Sequence, residues 1–76
     1  MLLSARRSEE ELREMLREAE DRKALWEHHF HSAKMSRKSN AEAIRNITAL
    51  RGVIKTLRWT LNMTDSNGVQ LTHPLD

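Results

Sequence analysis

The chain contains no cysteine, which excludes disulfides and thiolate metal sites and fits a reducing compartment, so a cytoplasmic location is expected. One proline and two glycines leave few places for the backbone to turn, which argues against an all-β fold and for long helices. No stretch approaches the roughly 20 consecutive apolar residues of a membrane span. The opening Met1-Leu2-Leu3-Ser4-Ala5-Arg6-Arg7 is too short an apolar run for a signal peptide, and no membrane association is expected. Catalytic equipment is missing as well. There is no cysteine nucleophile, no Gly-x-Ser-x-Gly elbow, no phosphate-cradling glycine loop, and no carboxylate pair set in an apolar stretch that would shift its pKa. The expectation is a protein that is not an enzyme and takes no cofactor. At 76 residues it is one domain at most, with a surface-to-volume ratio that leaves it marginal unless it associates.

What is present is helical periodicity. Ala43, Ile47, Leu50, Ile54, Leu57 and Leu61 fall alternately four and three apart, the spacing that lines one seam of a helix made to pack on another helix. A second stripe precedes it: Leu12, Met15, Leu16, Ala19, Trp26, Phe30 and Ala33. Its one gap holds Arg22 and Lys23, either of which can lay an alkyl stem along the seam while its charge reaches water, so the helix is expected to continue through. Ser8-Glu9-Glu10-Glu11 reads as a capping box that starts the first helix, with acids in the first turn where the helix dipole favours them. Ser39-Asn40-Ala41-Glu42 reads as a second capping box, after the polar, basic segment Ser36-Arg37-Lys38.

These signals give an all-α architecture: an extension over residues 1–7, a helix over 8–35, a helix over 40–62, and a turn followed by an extended tail over 63–76. The break favours an antiparallel helical hairpin, its rival being one continuous helix, since no glycine or proline forces a turn there. Charge agrees with the hairpin. Residues 9–27 hold eight acids and four bases, net −4, while residues 34–58 hold seven bases and one acid, net +6, so folding back sets opposite charges side by side. Glu11, Glu14 and Glu18 are expected near Arg58, Lys55 and Arg51. Leu25, Ile44, Val53 and Trp59 widen the apolar stripe beyond a two-helix seam, so dimerisation into a four-helix bundle is expected. In the tail, Asn67-Gly68 signals a turn. Val69 and Leu71 read either as a short strand pairing with Leu61 and Met63 or as an extended end.

Three groups of residues are candidates for function. Trp59 falls on the face opposite the seam, in line with Arg45; with Arg58 and Lys55 it forms a candidate site for a larger protein partner, tryptophan and arginine being the commonest interface anchors. The alternative for Trp59 is packing beneath the tail. The basic residues Lys34, Arg37, Lys38 and Arg45 are the candidate contacts of a second reading, a nucleic-acid-associated regulator neutralising phosphates, although no known nucleic-acid-binding motif accompanies them. Glu27-His28-His29-Phe30-His31 sets His28 and His31 one helical turn apart. Two ligands do not make a metal site, and no metal is expected. The function expected is that of a small interaction protein, an adaptor, inhibitor or phage-type accessory factor.

Overall fold

A computed structural model describes residues 6–32 and 36–76. Two helices, α1 (Glu9–Ser32) and α2 (Arg37–Thr60), pack against each other as an antiparallel hairpin. At 24 residues each, both are about 36 Å long. The expected end of the first helix near Met35, the last stripe residue Ala33, and Lys34 all lie outside the described residues.

Local chemistry fixes where α1 starts. The Ser8 hydroxyl accepts the Glu11 backbone N–H at 3.1 Å, and the Glu11 carboxylate accepts the Ser8 N–H at 3.1 Å, a closed capping box. That backbone N–H, then the Arg7 guanidinium at 3.2 Å, hold the Glu11 carboxyl below its ordinary 4.5. α1 then runs unbroken through the gap in its stripe. Lys23 lies half-buried along the seam with its ammonium 3.3 Å from Glu27, whereas Arg22 turns outward onto Glu18 at 2.6 Å.

The start of α2 differs from the expectation of Asn40. Ser36, not Ser39, is the cap: its hydroxyl accepts the Ser39 N–H at 3.2 Å and donates to the Ser39 hydroxyl at 3.1 Å. Ser39 thus becomes the third helical residue, and the helix gains almost a turn by drawing Arg37 and Lys38 into it. The C-terminal end is closed by a Schellman motif. Asn62, at φ 58°, donates to the Trp59 carbonyl and Met63 to that of Arg58, both at 2.9 Å. Asparagine is one of the few side chains that accept this left-handed conformation, and the reversal sends Met63 back onto the core.

The core is small. Leu16, Ala19, Ala43, Ile47, Ile54 and Leu57 are buried. Leu16, Ala19, Ile54 and Leu57 form one cluster, with Leu12, Leu50, Val53, Leu61 and Met63 packed around it. The charge pairing between helices takes a different register from that expected. Arg58 reaches Glu20 at 2.6 Å, while Glu11 and Glu18 bind Arg7 and Arg22 on their own side of the hairpin, because a neighbour one turn away costs less side-chain entropy to hold.

The tail forms no ladder. Thr64 and Gln70 make one antiparallel bridge, in place of pairing by Val69 and Leu71 with Leu61 and Met63. Asp65 sets this register: its carboxylate accepts the N–H groups of Asn67 at 2.8 Å and Val69 at 3.0 Å, and its carbonyl accepts the Gly68 N–H at 3.0 Å. Gly68 follows at φ 79°, where a glycine is needed, and the Gln70 amide donates to the Asn62 side chain at 2.9 Å. Beyond this loop the chain returns along α2, bringing Leu71, Thr72 and Asp76 beside Ile54, Lys55 and Arg58.

Candidate functional site

The return of the tail creates a cleft of about 610 Å³. One wall comes from α2. Arg51, Lys55 and Arg58 are four and three residues apart, so a single helical face presents all three cations. Glu20 and Lys23 of α1 form the facing wall, Leu71, Thr72 and Asp76 of the tail the third, and Ile54 contributes an apolar edge. The charges are unequally committed. Arg58 is paired with Glu20 and Lys23 with Glu27, whereas Arg51 and Lys55 make no ion pair with a described residue.

Trp59 stands on the same end of α2, directly after Arg58 and four residues after Lys55. Its ring meets His73 edge to face, the centroids 4.8 Å apart and the planes at 63°. The His73 ring is itself fixed, its Nδ1 accepting the Leu75 N–H at 3.1 Å. The tail therefore covers one side of the indole and leaves 41% of the residue exposed. Of the four residues expected to bind a protein partner, Lys55, Arg58 and Trp59 come together with the tail. Arg45 does not: ten residues before Lys55, it lies about 15 Å away along the helix axis.

The basic residues proposed for phosphate contact are spread at the other end. Arg37 and Lys38 occupy the first turn of α2, exposed and without ion pairs among the described residues, as is Arg45; Lys34 lies outside the described residues. The histidine segment does not converge. His29 lies against Trp26 with centroids 6.3 Å apart and His31 edge-on to Phe30 at 5.2 Å, and no three potential ligands gather to hold a metal among the described residues. No helix there is long and apolar enough to cross a membrane.

Apolar surface is distributed over the rest of the hairpin. Met15, Leu25 and Ile44 are each more than half exposed, and no large side chain is completely enclosed among the described residues. Met15 and Ala19 of α1 open a shallow cleft of about 210 Å³ with Leu50 and Val53 of α2, lined also by the Glu18–Arg22 pair. Sequence reasoning missed Leu71, Thr72, His73 and Asp76 as neighbours of the cationic face. The signal was Asp65 with Asn67-Gly68, a turn strong enough to reverse the tail rather than merely end the helix. No protein-family model, curated protein or solved structure matches this chain.

Proposed function

We propose that this chain is a small non-enzymatic interaction protein of the cytoplasm that self-associates, as a four-helix bundle, and binds or inhibits a larger protein through the Trp59 end of α2. The observation that carries the reading is unfinished burial. Six of the described residues are buried, yet Met15, Leu25, Ile44 and Trp59 remain on the surface, an exposure that a free-standing hairpin gains nothing from. The radius of gyration points the same way: it is 15.5 Å, where a closed globule of this length has about 11 Å. Pairing two hairpins across the Met15, Leu50 and Val53 flank would complete a four-helix core with two-fold symmetry.

Sedimentation equilibrium tests the first half, with a dimer mass expected and a concentration-independent monomer excluding it. For the second half, Trp59→Ala should leave helicity unchanged and reduce recovery of the partner by affinity capture; equal recovery would move the site elsewhere. A second reading, nucleic-acid association, is favoured by the exposed cations Arg37, Lys38 and Arg45, which make no ion pair with a described residue. It requires binding to duplex DNA or single-stranded RNA that weakens steeply with salt, and absence of binding at low salt ends it.

A further inference from the structure

We infer that the three-walled cleft receives an acidic peptide segment carrying an apolar side chain, its carboxylates meeting Arg51 and Lys55 and its apolar group the edge formed by Ile54 and Leu71. The inference rests on the protein-binding reading and names the chemistry of the partner.

Charge supplies the first argument. Four cations and two carboxylates line the cleft; Arg58 is paired with Glu20 and Lys23 with Glu27, which leaves two cations, Arg51 and Lys55, against the one carboxylate of Asp76. Positive charge is left at Arg51 and Lys55, one turn apart on one face. Both ends of long side chains are free to close on an acid without first breaking an ion pair to a described residue.

Shape supplies the second. A cleft of about 610 Å³ has the capacity of a ligand pocket and accommodates several side chains at once. Ile54 and Leu71 offer an apolar contact between charged rims, the division of labour found where peptides anchor by one apolar group and orient by charge. A nucleic-acid backbone suits the cleft less well. Its phosphates and sugars would leave the apolar edge of Ile54 and Leu71 uncovered. Trp59, the residue after Arg58 on α2, has its ring against His73 of the tail and offers a contact to residues that flank the acidic segment.

Fluorescence anisotropy on the full chain decides the matter, with three labelled probes: the peptide Glu-Asp-Leu-Glu-Glu-Leu-Asp-Glu, the same peptide with lysine at every acidic position, and an oligothymidine strand. Saturable binding is expected for the acidic peptide alone, weakening as ionic strength rises. The double variant Arg51→Gln/Lys55→Gln should lose affinity about tenfold or more, with circular dichroism unchanged. Arg37→Gln/Lys38→Gln, which removes the same charge at the opposite end, should bind as the wild type does. Absent binding of the acidic peptide, equal losses in both double variants, or preferential binding of the oligothymidine through Arg51 and Lys55 would each overturn the inference. If the acidic peptide fails while partner capture still depends on Trp59, the acidic segment falls and the protein-binding reading stands; if both fail, both fall.

Discussion

The two ends of the hairpin are built from the same kind of helix and differ in what closes them. At the open end, Leu16, Ala19, Ile54 and Leu57 form a connected cluster, because Leu61 and Met63 arrive from the helix terminus to pack around it. At the bend end, Ala43 and Ile47 are buried but belong to no such cluster among the described residues, and Trp26 and Phe30 stay half-exposed. Two helices present only one line of contact, so each side chain on that line is covered on one side and open on the others. A third segment changes this. The Schellman turn and the Asp65 loop supply it at the open end, and nothing among the described residues supplies it at the bend.

This contrast can be broken by mutation. Ile54→Asp should unfold the chain outright, since a small domain holds on the order of 5 kcal/mol and an unpaired buried charge consumes most of it; circular dichroism at ambient temperature reads the loss of helix. The sharper comparison is Ile54→Ala against Ile47→Ala. The two are equally buried, at 7% and 8%, yet Ile54 belongs to the cluster, so its truncation should cost about 3 kcal/mol and that of Ile47 about half as much. Urea midpoints measure both, and equal costs would show that the ends are packed alike.

Next in size is the turn that brings the third segment in. Asn62→Ala puts a residue that resists positive φ at the cap and removes the bond to Gln70, and should cost about 1 kcal/mol. It should also release His73 from Trp59, which tryptophan fluorescence would report. A tail that stays docked would locate the anchor in Leu71 instead.

The caps give a smaller test of the same asymmetry. Ser8→Ala should cost about 1 kcal/mol and Ser36→Ala rather less, because Ser8 closes a reciprocal pair with Glu11 whereas Ser36 has only Ser39 across from it. The pH effect is the smallest. Glu11 titrates below its ordinary 4.5 in the folded chain, so its contribution to the start of α1 is present above that value and is lost as pH falls through the lowered folded value. Proton-exchange or chemical-shift titration of the Ser8 amide should follow this loss, and an amide indifferent to acid would mean that the carboxylate is not its partner.

Sequence legibility followed the range of the interactions involved. Helix in both halves, continuity through Arg22 and Lys23, and the cap at Ser8 were readable because each depends on residues within one turn of each other. The cap of α2 was misplaced for a related reason: Ser36 and Ser39 both qualify, and the segment alone does not rank a serine–serine cap above a serine–glutamate one. Of the candidate site, Lys55, Arg58 and Trp59 could be named from their positions on α2. Leu71, Thr72 and Asp76 could not, since their place depends on a loop whose direction is set by Asp65 and Gly68 together.

By itself, then, the sequence determined an all-α chain with two amphipathic stripes, opposed charge and a turn after Asn62, because periodicity, capping and charge act through neighbours along the chain. The tertiary structure decided which acid meets Arg58, which end of the hairpin has a connected core, and that the tail turns Arg51 and Lys55 from an exposed row into one wall of a cleft. Those outcomes join residues far apart along the chain, 38 positions for Arg58 and Glu20 alone, and only the packed chain brings them within reach of each other.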